Sequence, residues 1–170
     1  KLRIIYLHIY RRNTLKIGIL SDTHGIKYMV EKALAKMKDI EVLLHAGDIV
    51  ADAHRLEGKV FKVYCVAGNC DALSFEPTEK VLEFQGKRIL LTHGHTYRVK
   101  HGYEQLLIKA KEVLADIVVF GHTHVPVNMY IDNILFFNPG STVLPKGGWH
   151  GTYGIIEITE NNINAYINTI

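Results

Sequence analysis

Residues 15–24 read LKIGILSDTH, and this segment gives the clearest indication of the fold. The apolar run IGIL at residues 17–20 predicts a buried strand, and Asp22 and His24 follow directly where that strand ends. A helix is predicted next, because apolar residues recur at i, i+3, i+4 and i+7, namely Val30, Ala33, Leu34 and Met37. A buried strand followed by an amphipathic helix is the building unit of an α/β fold.

Polar residues follow an apolar strand in the same way at four further places. They are Gly47-Asp48, Gly68-Asn69-Cys70-Asp71, His93-Gly94-His95 and Gly121-His122-Thr123-His124. Because ligands of open α/β sheets bind beyond the carboxyl ends of the strands, we expect all five clusters to meet in one crevice. Carboxylate, amide and imidazole groups gathered in this way are typical of a metal site.

The remaining segments predict a mixed architecture with a β-rich end. A second short helix is expected near residues 52–57, and strands 81–84 and 88–93 are expected to form an antiparallel hairpin. Residues 103–114 present one apolar helical face. From Pro126 onward the sequence predicts only strands separated by turns.

The composition excludes several classes of protein. With 170 residues, of which 48% are hydrophobic, the chain is long enough to form one substantial core. It has no apolar run of the roughly 20 residues that cross a bilayer, so no membrane association is expected. The two cysteines, Cys65 and Cys70, are too few for a disulfide framework, and we therefore expect a reducing, cytoplasmic location.

Residues 1–14 are predicted to be a leader, non-native or disordered, outside a single domain formed by residues 15–170. Their apolar stretch precedes Arg11 and Arg12, which is the reverse of the order in a secretory signal. An extra edge strand is the alternative interpretation. The leader also contains the basic excess behind the formal net charge of +3, so we expect no nucleic-acid partner for the domain.

The ordered series D-x-H, GD, GN, H-G-H and G-H-x-H, between residues 22 and 124, resembles the calcineurin-like metallophosphoesterase superfamily. Residues 15–170 as a whole are similar to its small prokaryotic phosphodiesterases. The resemblance implies an α/β fold of four layers, α/β/β/α, in which two mixed sheets are flanked by helices. It also implies a dinuclear metal-dependent phosphodiesterase, with a small phosphodiester as substrate.

The resemblance further implies which residues bind the two divalent metal ions. One ion is expected on Asp22, His24, Asp48 and His124, and the other on Asp48, Asn69, His93 and His122. Asp48 would bridge the ions, and Asp48 and Asn69 count among the catalytic residues. Mn²⁺ is the expected ion, with Ni²⁺, Fe²⁺, Co²⁺ and Zn²⁺ as alternatives. The oxygen and nitrogen donors, without thiolate, are compatible with all five ions. A metal-bridging hydroxide is expected to attack phosphorus in line.

Two further residues are candidates for catalysis. Cys70 stands directly after Asn69, where many members of the superfamily have a histidine that resembles a general acid. A thiol has a reference pKa near 8.5 and can donate a proton, but activated aryl leaving groups do not need one, so aryl diesters are the expected favoured substrates. His95, the second histidine of H-G-H, is a candidate to contact the phosphate.

Two other functions stay open at this point. One is a phosphomonoesterase, and the other is a non-catalytic metal-binding scaffold of the retromer-subunit type. That scaffold type departs from the superfamily pattern at the bridging aspartate and the metal-binding asparagine, whereas Asp48 and Asn69 are both present here. The apolar late strands are also compatible with a homo-oligomer.

Overall fold

The structure is a computed structural model, and it describes residues 5–6, 14–60, 62–148 and 150–170. In chain order the strands are β1 Ile5–Tyr6, β2 Leu15–Leu20, β3 Val42–His45, β4 Lys62–Cys65, β5 Glu79–Phe84, β6 Lys87–Thr92, β7 Ile117–Val119, β8 Val127–Ile131, β9 Ile134–Asn138, β10 Thr152–Ile158 and β11 Ile163–Thr169. The α-helices are α1 Lys27–Lys36, α2 Val50–His54 and α3 Glu104–Glu112. Among the helices of these ranges, none is long and apolar enough to cross a membrane.

The strands form two mixed sheets. Their order is β11-β10-β2-β3-β4 in one sheet and β1-β5-β6-β7-β9-β8 in the other. Strands β2, β3 and β4 are parallel neighbours, as are β6, β7 and β9. Because parallel neighbours end at the same edge of a sheet, the carboxyl ends of β2 to β4 lie side by side, and so do those of β6 and β7.

The main hydrophobic core lies between the two sheets. Ile17 and Ile19 of β2 and Ile156 of β10 contribute to it from the first sheet, and Val119 and Phe137 contribute from the second. All five side chains are fully buried. The core residues of β2 are two positions apart, as expected for one face of a strand. The two sheets therefore pack face to face.

The helices cover the outer faces of the sheets. Val30 and Ala33 of α1 pack with Leu43 of β3, and Leu106 and Ala110 of α3 pack against the outer face of the other sheet. These helical residues are spaced three or four positions apart, which places them on one side of each helix. The resulting layers are α/β/β/α, so the predicted fold class is confirmed.

The β5–β6 hairpin has a tighter turn than predicted. Lys87 pairs with Phe84 in the sheet, so Gln85 and Gly86 alone form the turn. Both turn residues have positive φ, 50° and 72°, as a type I′ turn requires. This turn twists in the same sense as the strands, which explains why the hairpin closes with two residues.

Two other boundaries need comment. The second helix was expected near residues 52–57, but α2 spans Val50–His54. Residue 57 lies beyond the end of α2 and forms a β-bridge with residue 60. Of the leader, Ile5–Tyr6 is described and pairs parallel to β5 at the sheet edge. Residues 1–4 and 7–13 lie outside the described residues, so the leader and the domain boundary at residue 15 stay predictions.

Candidate metal centre

The polar clusters predicted from the sequence lie at the carboxyl ends of five strands. In chain order the predicted metal ligands are Asp22 and His24 after β2, Asp48 after β3, Asn69 after β4, His93 after β6, and His122 and His124 after β7. The first sheet contributes four of these side chains and the second contributes three. Because the sheets face each other across the core, the two sets meet.

The first group of donors consists of Asp22, His24 and His124. Nε2 of His124 lies 3.2 Å from Oδ1 of Asp22 and 3.4 Å from Nε2 of His24. The donor atoms of all three residues lie within 4.8 Å of one another. One ion can therefore contact all three donors.

The second group is centred on His93. Its Nε2 lies 3.5 Å from Oδ2 of Asp48 and 3.2 Å from Oδ1 of Asn69. The same nitrogen lies 3.9 Å from Oδ1 of Asp22, which links this group to the first. The ring of His122 packs edge-on to that of His93, with 4.9 Å between the centroids. The structure thus places all seven predicted ligands around one crevice.

Hydrogen bonds on the far side of two imidazole rings orient them toward the crevice. Nδ1 of His93 lies 2.7 Å from the carbonyl oxygen of Ala46, and Nδ1 of His124 lies 2.8 Å from that of Leu144. A carbonyl oxygen only accepts, so Nδ1 donates in both rings. In a neutral ring this leaves the Nε2 lone pair free for a metal ion.

A buried carboxylate oxygen supports the presence of a cation in this centre. Within the described part of the chain, Oδ1 of Asp22 is buried and accepts no well-aligned hydrogen bond. A buried charged oxygen without such a partner is costly, and a divalent ion would compensate it. The donor set combines carboxylate oxygens, an amide oxygen and imidazole nitrogens, which suits first-row divalent metals. The residues present therefore fit the metal ions that the sequence predicts.

The backbone is strained at most of the predicted ligands. Their φ angles lie between 45° and 66°, in the left-handed region, at Asp22, His24, Asp48, His122 and His124. Each such residue costs on the order of 1 kcal/mol or more, and strain of this kind clusters at functional sites. The strained backbone aims consecutive loop side chains into the crevice.

Two glycines allow these loops to approach each other closely. A Cβ atom on Gly68 would lie 2.0 Å from Oδ1 of Asp48, and one on Gly121 would lie 1.9 Å from Oγ of Ser21. No side chain fits at either position without moving the ligand loops. The glycines in GN and G-H-x-H are therefore a geometric requirement of the centre.

The domain model of the calcineurin-like phosphoesterase superfamily matches residues 15–161 of the chain. The chain belongs to this superfamily. It is 32% identical over 169 aligned residues to the phosphodiesterase YfcE of Escherichia coli, an alignment that covers 84% of this chain and 88% of that protein. Superfamily membership and this relative support phosphoester hydrolysis and the binding of divalent metals.

Solved structures of other proteins share the superfamily fold. A predicted phosphoesterase from Streptococcus pneumoniae superposes with a TM-score of 0.81 at 29% identity, covering 94% of this chain and 91% of that one. Vacuolar protein sorting 29 from Cryptosporidium parvum superposes with a TM-score of 0.78 at 20% identity, covering 94% and 93%. The second likeness concerns the fold alone.

The charges in this phosphoesterase crevice keep its carboxylates ionised. Burial raises the pKa of Asp22, but the adjacent ring of His124 and the charge of His93 outweigh it and bring the pKa below its ordinary value. Burial also raises the pKa of Asp48. His93 and the hydrogen bond from the backbone N–H of Cys70 outweigh this effect and bring the pKa below its ordinary value. Burial, followed by the charge of His93, lowers the pKa of His122 to about 4. At neutral pH the centre therefore offers two anionic carboxylates and a neutral His122.

Cys70 and His95, the two candidate catalytic residues, lie at the edge of the centre. The backbone N–H of Cys70 donates to Oδ1 of Asp48 at 2.9 Å, and its exposed thiol lies beside the same carboxylate. Desolvation and then Asp48 raise the pKa of Cys70 to about 11, so the thiol is protonated at neutral pH but is a weak acid. The ring centroid of His95 lies 5.4 Å from that of His93. Nδ1 of His95 is buried and finds no hydrogen-bond partner among the described residues.

Three buried residues position the ligand loops, and the sequence did not single them out for this role. Oδ2 of Asp52 accepts hydrogen bonds from Oγ1 of Thr23 at 2.7 Å and from the backbone N–H of Gly25 at 2.9 Å. Nδ2 of Asn138 donates to the carbonyl oxygen of Gly121 at 2.9 Å. Oγ of Ser141 donates to the carbonyl oxygen of Asp22 at 2.9 Å. The only signal in the sequence was polarity at the end of a strand or within a short helix.

Asp71 orients the loop between β4 and β5. Its Oδ2 accepts from the backbone N–H groups of Gly68 at 2.8 Å and Asp48 at 3.2 Å, and its Oδ1 accepts from that of Val50 at 2.8 Å. The carboxylate thereby joins the ends of β3 and β4. These three contacts orient the loop that carries Asn69.

Proposed function

We propose that this protein is a dinuclear metal-dependent phosphodiesterase that hydrolyses a small phosphodiester. The observation that carries the proposal is the position of Asp48 between two sets of imidazoles. Its carboxylate lies within 4.8 Å of a donor nitrogen of His24 and also of one of His93. A carboxylate in this position is suited to bridge two ions, one on Asp22, His24, Asp48 and His124 and the other on Asp48, Asn69, His93 and His122.

The chemistry follows from the charges of the centre. When bound, two divalent ions supply Lewis acidity that polarises a phosphoryl oxygen and lowers the pKa of water. Asp22 and Asp48 contribute two negative charges, whereas Asn69 and neutral imidazoles contribute none. The occupied centre therefore keeps a positive charge, which attracts an anionic ester and stabilises the charge that develops on it.

The surrounding residues suggest how the substrate is held. His95 lies next to His93 and its side chain is partly exposed, and we assign it to phosphate contact. Cys70 lies beside Asp48, to which its backbone N–H donates, and its thiol is a weak acid, so it gives little help to a poor leaving group. The centre accordingly favours activated aryl esters over alkyl esters.

One observation favours a diester over a monoester, since the relative YfcE is named a phosphodiesterase. Mn²⁺ is the proposed native ion. The cytoplasmic location and the homo-oligomer stay predictions.

Hydrolysis of bis(p-nitrophenyl) phosphate and of p-nitrophenyl phosphate tests this proposal. Metal-stripped protein is assayed with both esters after addition of Mn²⁺, Ni²⁺ or Zn²⁺. Asp48→Asn removes the negative charge that would bridge the ions. Asp39→Asn is the matched control, because Asp39 is exposed and is not part of the candidate metal centre. We expect Mn²⁺ to restore diester hydrolysis in the wild type and in Asp39→Asn, and Asp48→Asn to lose at least about 100-fold in kcat/KM.

The outcome separates the three candidate functions. Faster turnover of the monoester than of the diester would identify a phosphomonoesterase. A protein that binds metal but hydrolyses neither ester with any ion would contradict catalysis and favour the scaffold.

A further inference from the structure

A second cluster of metal-binding side chains shares no residue with the candidate metal centre. It consists of His54 at the end of α2, Cys65 at the end of β4, and Glu76 in the segment before β5. Each residue offers one donor atom, and the three donors lie within 4.8 Å of one another. Three separate chain segments thus bring a thiol, an imidazole and a carboxylate to one point.

Two distances within this cluster match those around a tetrahedral zinc ion. Sγ of Cys65 lies 3.6 Å from Nε2 of His54, and that nitrogen lies 3.3 Å from Oε1 of Glu76. Zinc bond lengths and tetrahedral angles give about 3.6 Å between sulfur and nitrogen and about 3.4 Å between nitrogen and oxygen. The donor atoms of Cys65 and Glu76 also lie within 4.8 Å of each other.

We propose that His54, Cys65 and Glu76 form a mononuclear site for a thiophilic divalent cation of the Zn²⁺ class. The thiolate selects for this class, because the hard ions Mg²⁺ and Mn²⁺ prefer oxygen ligands. Thiolate and carboxylate together balance the charge of the ion. Cys65 is buried whereas His54 is half exposed, so the fourth coordination position faces solvent.

Lys80 fixes the carboxylate of this site in the required orientation. Its Nζ donates to Oε2 of Glu76 at 2.7 Å, which leaves Oε1 directed at His54. The other side of the site is set by β4, because Cys65 is its last residue and is held in the sheet by pairing with His45. Two of the three ligands are therefore oriented before an ion binds.

An ion bound at this site would restrict the motion of the loop between β4 and β5, which carries residues of the candidate metal centre. The chain between Cys65 and Glu76 contains Asn69 and Asp71, and an ion would join the two ends of this loop to α2. The thiol proton is released when the ion binds, since the ligand is the thiolate. A bound ion stabilises the folded protein by mass action, so zinc is expected to raise its melting temperature.

Cobalt substitution tests the site directly, because Co²⁺ bound to thiolate gives a sulfur-to-metal charge-transfer band in the near ultraviolet. The metal-stripped full chain is titrated with Co²⁺ in the wild type and in Cys65→Ser. Cys70→Ser is the matched control, since the chain has 2 cysteines and Cys70 lies at the other centre. His54→Gln is a second variant on a half-exposed side chain, which keeps the test valid if Cys65→Ser does not fold.

At saturating Co²⁺, which also fills the dinuclear centre, we expect a band with the intensity of one thiolate-bound Co²⁺ per chain in the wild type and in Cys70→Ser, and its loss in Cys65→Ser. His54→Gln should weaken the affinity at least about tenfold. Asp48→Asn should keep the band even though it loses hydrolysis, so failure of this proposal and failure of the proposed function are distinguishable. Absence of the band in the wild type, or its loss in Cys70→Ser with retention in Cys65→Ser, would overturn the proposal.

Discussion

Oδ1 of Asp22 lies 3.2 Å from Nε2 of His124, although Asp22 follows a strand of one sheet and His124 follows a strand of the other. The candidate metal centre therefore spans the seam between the two sheets. Its ligands come into register only when the sandwich is closed, because neither sheet alone contains a full set of donors. Packing in the central core and the affinity for metal are consequently linked.

Gly121→Ala tests how closely the loops must approach. The new Cβ would lie 1.9 Å from Oγ of Ser21 and 2.8 Å from Oδ2 of Asp22, so Asp22 must move. We expect a loss of about 1–3 kcal/mol in the free energy of unfolding and a weaker affinity for metal, measured by denaturant unfolding and by metal titration. Gly148→Ala is the control, because a Cβ there meets nothing within 4 Å. If Gly121→Ala and Gly148→Ala had the same free energy of unfolding and the same affinity for metal, close approach of the loops at Gly121 would not be required.

Cys70→Ser tests the role of the thiol beside the centre. With bis(p-nitrophenyl) phosphate we expect a loss of less than about tenfold in kcat, because the leaving group is activated and the thiol, with a pKa of about 11, is a weak acid. Cys70→His should raise turnover of alkyl diesters, since imidazole donates a proton readily near neutral pH. Steady-state kinetics with aryl and alkyl diesters check both expectations. A loss of 10²-fold or more in Cys70→Ser with the aryl diester would make the thiol a general acid in its own right.

Burial of His45 is expected to make the stability of the metal-free protein depend on pH. Burial lowers the pKa of His45 to about 4 from an ordinary value of 6.5, so between these pH values the unfolded chain binds more protons than the folded one. Stability therefore rises with pH in this window and falls on acidification. His45→Gln removes the effect while keeping a group that can bond to Thr23, so its loss of stability between pH 7 and pH 5 should be smaller by about 1–2 kcal/mol.

Denaturant unfolding at the two pH values measures this difference. His101→Gln is the control, because His101 lies on the surface. If the stability of His45→Gln falls on acidification as much as that of the wild type, the burial argument is wrong.

The grouping of the candidate ligands could be predicted because their signal is local. Asp22 and His24 directly follow the strand that the IGIL run predicts, and His122 and His124 directly follow another. The end of a strand is where a parallel sheet places its binding residues, so sequence position fixed their approximate location. The layers were predictable for a similar reason, since the apolar faces of α1 and α3 repeat with the period of a helix.

The positioning residues were not predictable, because their roles depend on contacts between distant segments. The hydroxyl of Ser141 donates to the carbonyl oxygen of Asp22, which lies 119 positions earlier in the chain. Asp52 lies in α2, whose bounds differ by two or three residues from those predicted. The hydrogen bond that Asp52 accepts from Thr23 depends on where this helix lies. The cluster of His54, Cys65 and Glu76 likewise has no characteristic spacing in the sequence. Such pairs are set by packing, which residue periodicity does not encode.

The number and magnetic coupling of the bound ions distinguish a dinuclear centre bridged by Asp48 from separate mononuclear sites. Electron paramagnetic resonance of the Mn²⁺-loaded protein reports whether two ions share a bridging ligand. We predict the spectrum of a spin-coupled pair at two Mn²⁺ per chain in the wild type, and its loss in Asp48→Asn. A six-line spectrum of isolated Mn²⁺ in the wild type, or a single ion per chain at saturation, would contradict a dinuclear centre bridged by Asp48.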